Sequence, residues 1–385
     1  MEGDINLVYL DNAAGTRPYP EVLSTIASVI EDHYGNASAD NSLGHDARMI
    51  VDNVTNQVAH DINCNPEEII WTSGACEANS LAIIGTLNVN DMIFFSTKLE
   101  HTSTIEAMRD CESYVKYYLT TDNYGNIRID ALEQTLNEAS SRYNKPPFVS
   151  ISYANSEIGV IQDIKTIASI VHKYSGLLHV DATQMYPWHH IDVKNLGIDL
   201  MSVSGQKMHC VKGIGFLYVR NGIELRPLIY GSQQDGRRGG TYPTHLIAAF
   251  GTALYVTRSN NYYYGETWTL RNDLLSRLLK IEGVHLNGPA VTANRLPNNI
   301  SLTIDGVSAD RLTALCDMMG VIIAKGSACK SYEPKPSEAL LAIGLTEEQA
   351  LNTVRISLGM LNSPAEVEYA ADIIANMVQR IREDE

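Results

Sequence analysis

Paired cysteines, long apolar runs and a surplus of basic residues are all missing from this 385-residue chain. Its six cysteines, at positions 64, 76, 111, 210, 316 and 329, contain no C-x-x-C, which excludes a zinc ribbon and a thioredoxin-type redox pair. Reduced thiols are expected in so long a chain without an export signal. Each cysteine is by default a small buried apolar residue unless its surroundings overturn that. No segment approaches the ~18 uninterrupted apolar residues of a membrane-spanning helix, so no membrane association is expected. Lys and Arg number 29 against 45 Asp and Glu, a net charge of −16 that disfavours a broad grip on nucleic acid or anionic lipid. Met1 to Asn6 is acidic and polar and the first basic residue is Arg17, so no secretory signal or Arg-rich transit peptide is visible and a cytoplasmic location is expected. Neither G-x-x-x-x-G-K-[ST] nor G-x-G-x-x-G occurs, so no phosphate loop names a nucleotide.

What is present is an ordinary globular composition, 44% hydrophobic and 19% charged, in a chain long enough for two or three domains. Short β-rich runs recur at Glu68 to Thr72, Met92 to Ser96, Phe148 to Ser152, Leu177 to Val180, Leu200 to Val203 and Ile214 to Val219. Between several of them lie stretches of helical period, such as Ala75 to Leu87 and Ile164 to Tyr174. Continuous apolar strands alternating with helices predict an open, mostly parallel α/β sheet covered on both faces, with its ligand at the carboxyl ends of the strands. After about Tyr242 a long helical pattern runs to Leu279, and shorter strand-like and helix-like segments follow as a second, smaller α+β domain. Its last helix is signposted by Ser363, Pro364 and Glu366 at N-cap, N1 and N3, with Val367, Ala370, Ala371, Ile374, Val378 and Ile381 on one face. The glycine-rich stretch Gly231 to Gly240 reads as a mobile or interface loop.

Three places concentrate chemistry. EIIWTSGACEANSLAIIG sets a glycine turn between a strand and a helix beginning near Ala75, which suits a phosphate but is common in α/β proteins with nothing bound there. LLHVDATQ ends a predicted strand with Asp181, which taken alone reads first as a turn-capping acid. The next strand ends in Ser204, Gly205, Gln206 and Lys207. A carboxylate and a lysine at adjacent strand ends is the arrangement a pyridoxal phosphate enzyme requires: a lysine to bond the cofactor's carbonyl, an acid to hold its pyridine nitrogen.

With these motifs in order, the chain resembles the cysteine desulfurases of the class V aminotransferase family, fold-type I pyridoxal phosphate enzymes. YLDNAAGT at Tyr9, YGNAS, TSGACEAN, KLEH, ANSEIG, HVDATQ, SGQK, GSACKS and VRISLG follow the family's sequence and spacing over nearly the whole chain. The resemblance implies a mostly parallel seven-stranded sheet in a large cofactor-binding domain, 15–255, with a small domain from 1–14 and 256–385. It implies that Lys207 carries pyridoxal 5'-phosphate, Asp181 holds the pyridine nitrogen, and His101 stacks on the ring. Gln184 and Asn155 are to lie near the ring hydroxyl and the substrate. The phosphate falls to the backbone of Ala75 and Cys76, to Ser204 and Gln206, and to Thr241 from the other subunit of a homodimer. Arg355 takes the carboxylate of L-cysteine in a two-pronged clamp. Cys329 accepts the sulfur as a persulfide, leaving alanine, and passes it to an acceptor or scaffold protein in iron-sulfur cluster assembly or thiolation; no metal site is implied. Lys325 and Lys330 flank Cys329, and their charge is expected to favour its thiolate.

The chain departs from the family pattern at several positions. Gln206 stands for a histidine and Cys76 for a threonine, and because a thiol is a poor donor, looser cofactor retention is expected. Asn41 replaces a common histidine, Ala37 a proline, and HCVKGIG the usual Y-G-P-K-G-I-G. The span from Cys329 to Gly344 fits members with a long catalytic loop. The rival readings are a selenocysteine lyase or other class V lyase or transaminase, and a non-catalytic relative that binds partners. A lyase that shuttles no sulfur has no use for the cysteine of GSACKS, and a binding module has none for Lys207, Asp181, His101 and Arg355. His189 and His190 read as unpaired surface residues, and Tyr262 to Tyr264 as a domain or subunit contact.

Overall fold

The structure, a computed structural model, describes residues 7–111, 114–260, 262–291, 294–326 and 335–384, with the backbone alone at 262 and 263. After a short strand β1 (Val8–Tyr9), seven strands build one sheet: β2 (Ile69–Thr72), β3 (Ile93–Ser96), β4 (Lys116–Tyr118), β5 (Pro147–Ser152), β6 (Leu177–Asp181), β7 (Leu200–Ser204) and β8 (Gly215–Val219). Their order is β2-β8-β7-β6-β5-β3-β4. All neighbours from β7 to β4 are parallel, and β8 runs antiparallel to both β2 and β7. Every residue of β2, β3, β7 and β8 is buried, which is why these strands read as unbroken apolar runs rather than alternating ones. Helices Pro20–Asp32, Ser42–Asp61 and Thr244–Ser259 pack together, and Phe250 of the last meets Trp71 of β2 edge-on at 5.5 Å.

A second core lies under β9 (Val284–Leu286), β10 (Asn299–Ile304), β11 (Val321–Ile322), β12 (Ala324–Lys325) and β13 (Thr353–Ser357). Strands β12-β13-β10-β9 form an antiparallel sheet, and β1 pairs in parallel with β11. Val8 and Leu10, from the start of the chain, are buried in this core with residues more than 260 positions away, such as Leu274 and Ile381. The helix Pro364–Glu383 closes it, capped by Ser363 and Glu366 in a capping box.

The predicted strands all form. The helical stretch after Tyr242 is two helices, Thr244–Ser259 and Tyr262–Leu278. They part at Asn260, whose side-chain amide donates back to the Val256 carbonyl at 3.1 Å and whose backbone leaves the helical region. The glycine-rich loop is docked on the edge of the large sheet: the Gln234 amide accepts from Trp71 N at 2.7 Å and donates to Trp71 O at 3.0 Å, imitating a strand partner for β2. His190 is not unpaired, since its Nδ1 lies 3.3 Å from Asp61 Oδ1.

Candidate active site

Parallel strands end together, and here β6 ends in Asp181 while β7 ends in Ser204 and turns at once through Gly205–Lys207. Asp181 is buried. Its Oδ2 accepts from Asn79 Nδ2 at 2.8 Å and its Oδ1 from Thr183 N at 3.0 Å. Among the described residues no cationic side chain forms an ion pair with it. A buried carboxylate with only neutral donors has its negative charge left over for a ligand cation.

Lys207 Nζ donates to the Ala14 carbonyl at 2.6 Å. Burial pushes the Lys207 amine down to about 8, and the Arg355 charge pushes the same way against opposing pulls from Asp11, Asp181 and Cys76. Arg355, on β13 of the second core, is 5% exposed. Its Nη2 meets Asp11 Oδ1 at 2.7 Å, while its Nε is buried without a partner. A guanidinium with an unused donor edge is the shape a carboxylate completes.

Beside Asp181, the chain leaves β2 through Thr72 and Ser73 to Gly74, whose φ of 147° is favoured only by glycine, and enters the helix Ala75–Ser80. A Cβ at Gly74 would lie 3.6 Å from Ser204 Oγ, so the helix start and the end of β7 stand next to each other. The helix runs on through a π-helical turn, Leu81–Gly85. His101 N-caps the helix Thr102–Asp110, its Nδ1 accepting from Ser103 N and lying 2.8 Å from Ser103 Oγ. Cys76, His101 and Ser103 line one open cleft.

The other expected residues take fixed places. Asn155 is buried; its Oδ1 accepts from Glu157 N and Ile158 N, and its Nδ2 donates to Leu99 O at 2.7 Å, leaving one amide hydrogen for a ligand. Gln184 Nε2 donates to Ala13 O at 3.0 Å. The Gln206 carbonyl accepts from both Thr16 N and Thr16 Oγ1. Thr241 is exposed, and among the described residues no hydrogen bond joins it to the others. Cys329 and Lys330 lie outside the described residues. Lys325 does not stand free, since its Nζ is 2.7 Å from Asp310 Oδ1. Of the remaining cysteines, Cys111, Cys210 and Cys316 are buried, and burial pushes Cys210 and Cys316 up to about 12. Cys76 departs from the expected buried filler, being exposed in the first turn of its helix.

Three residues of the site went unread in the sequence: Asp11, Asn79 and Glu157. Each sits inside a quoted motif, YLDNAAGT, TSGACEAN or ANSEIG, at a position given no role. Glu157 is buried, accepts from Ser337 Oγ at 2.6 Å through Oε2, and has an unpartnered Oε1 that a Cβ on Gly326 would approach to 2.7 Å.

Among the described residues, Asp181 without a cation, Lys207 held by a carbonyl and the unpartnered Nε of Arg355 together fit pyridoxal phosphate with an amino-acid substrate. Known proteins agree with that chemistry. Residues 8–370 match the family model described as Aminotransferase class-V. The chain is 31% identical over 382 residues to the cysteine desulfurase IscS 1 of Archaeoglobus fulgidus, covering 97% of each chain. A solved NifS-like protein superposes with a TM-score of 0.89 at 27% identity, over 97% of this chain and 99% of that one. SspA, solved in complex with cysteine, does so with a TM-score of 0.78 at 30% identity, over 91% and 98%. By sequence and fold alike, the chain belongs to the class V aminotransferase family, among its cysteine desulfurases.

Proposed function

We propose that the protein desulfurates L-cysteine, releasing L-alanine and leaving the sulfur as a persulfide on Cys329, with pyridoxal 5'-phosphate held on Lys207. The observation that carries this reading is the convergence on one lysine of a buried carboxylate that no cation among the described residues pairs and a buried arginine whose Nε has no partner: the charges of Asp181 and Arg355 both act on Lys207. Pyridoxal phosphate, when bound, supplies an electron sink that weakens the bonds around the substrate's Cα and then its Cβ–Sγ bond. Asp181 holds the charge of the ring nitrogen, and His101 covers the ring. The amide groups of Ala75 and Cys76, with Ser204 and Gln206, bind the phosphate, joined by Thr241 of a second copy in a homodimer. Arg355 takes the substrate carboxylate, with Asn155 beside it.

Lys207 takes the Cα proton in its neutral form, and burial, by lowering the amine to about 8, makes that form more populated than in an exposed lysine. The Cys329 thiolate attacks the substrate Sγ; an S–S bond forms, the Cβ–Sγ bond breaks, Cβ gains a proton, and the proton that Lys207 took is returned to Cα. Cysteine and thiol thus become alanine and persulfide with no external oxidant or reductant. The persulfide then passes to an acceptor protein. The test is alanine released from L-cysteine by the purified protein with pyridoxal phosphate and a reductant, wild type against Cys329→Ser. Release by the wild type and its loss in the variant are expected. Equal release from both would remove Cys329 from the reaction and favour a lyase.

A further inference from the structure

The start of the chain reaches into the site described above. β1 anchors it in the second core beside β11, and Asp11 then runs parallel to β13 in a bridge with Ser357. Ser357 N donates to Leu10 O at 2.7 Å, and Ala13 N donates to Ser357 Oγ at 2.8 Å, fixing the segment on both sides of Asp11. Tyr9 OH bonds to the carbonyls of Asp11 and Gly15, closing the segment into a turn. Residues 13 and 14 then meet the large domain through Gln184 and Lys207. Arg355 lies two residues before Ser357 on the same strand, so the backbone that holds Asp11 also sets where the guanidinium begins.

We infer that Asp11 is a positioning residue of the reaction: its Oδ1, 2.7 Å from Arg355 Nη2, fixes the guanidinium so that its unpartnered Nε edge meets the substrate carboxylate. The inference rests on the reading that Arg355 binds the carboxylate of L-cysteine. Arg355 is 5% exposed and Asp11 19%, and among the described residues Asp11 is the one carboxylate in ion-pair contact with this guanidinium. An arginine side chain has many rotamers to lose, and a fixed carboxylate on one nitrogen removes that cost before binding. Asp11 has a second effect through space. Lys207 feels Arg355 as a like charge, opposed by Asp11, Asp181 and Cys76. Removing the Asp11 charge leaves Arg355 less opposed and makes the protonated nitrogen at Lys207 less favourable.

The experiment compares wild-type holoenzyme with Asp11→Asn and Asp11→Glu. The KM for L-cysteine in Asp11→Asn is expected to rise about tenfold with kcat within about threefold, the split expected when a ground-state contact is loosened. The visible absorbance of the bound cofactor, titrated with pH in the absence of substrate, is expected to shift its midpoint downward in Asp11→Asn. Asp11→Glu, which restores a carboxylate, is expected to return that midpoint toward wild type. An unchanged KM and midpoint would overturn the inference, as would a lower KM, which would make Asp11 a competitor of the substrate. The underlying reading fails separately: a wild type that makes no alanine sinks it, whereas an active wild type matched by Asp11→Asn sinks only the role of Asp11.

Discussion

A buried carboxylate is informative because its ionisation has to be compensated. Glu157 is 8% exposed, and burial pushes its carboxyl up to about 7 from an ordinary 4.5, against the Ser337 hydrogen bond and the Arg355 charge, which both pull it down. The folded state therefore holds this proton more tightly than the unfolded chain does. Stability from this group is fully present below about pH 4.5 and falls as pH rises through about 7. Glu157→Gln removes the ionisation and keeps the shape. Relative to wild type, the variant is expected to gain stability between pH 5 and pH 8, up to on the order of 3 kcal/mol. Urea unfolding of both proteins at the two pH values measures it, and an identical difference at each would contradict the assignment. Legibility at this scale depends on the residue's partners. Asp181 and Lys207 were readable because each stands in a recognisable run, Asp181 at the end of a strand and Lys207 in the turn just after the next. Asp11 was not, because its meaning comes from Arg355, 344 positions away.

Elements were legible where local chemistry and tertiary packing agree. The final helix shows this: Ser363 accepts from Glu366 N at 3.3 Å, Glu366 accepts from Ser363 N at 2.7 Å, and all six residues assigned to its inner face are buried. The cap satisfies backbone groups that the helix itself leaves open, so Ser363→Ala is expected to cost about 1 kcal/mol of stability. A thermal melt checks this, and an unshifted melting temperature would deny the cap its weight. Elements without such agreement were missed. β1 is two residues long and exists only through β11. β4 lies at the sheet edge with no buried residue, so no apolar run marks it. The π-helical turn at Leu81–Gly85 has no composition of its own, and the break at Asn260 falls in a short polar run, Thr257 to Asn261, that a helical reading from Ala248 to Leu279 passes over.

At the scale of the whole molecule, two cores meet across the site: Asp181 and Lys207 come from the large sheet, Arg355 from the second. The chain's order of motifs made this arrangement readable, whereas the contribution of a second copy is a property no single chain displays. The loop bearing Thr241 gives that proposal physical support. Thr241 is exposed, and the adjoining Leu228, Ile229 and Tyr230 are 38%, 42% and 69% exposed, an apolar run against which Gly239 N donates to Ile229 O. Contiguous exposed apolar side chains in an otherwise strongly acidic protein call for a partner surface. If Thr241 binds the phosphate of the opposite copy, then Lys207→Ala and Thr241→Ala impair different sites. A hybrid dimer carries one site built from intact Lys207 of one copy and intact Thr241 of the other. Mixing the two inactive or cofactor-starved variants under conditions of subunit exchange, at limiting pyridoxal phosphate, is expected to restore alanine release. If Thr241 acted within its own copy, every site in the hybrid would lack one of the two residues, and mixing would restore nothing. The recovered activity thus reports which copy supplies Thr241, independently of how strongly that residue binds.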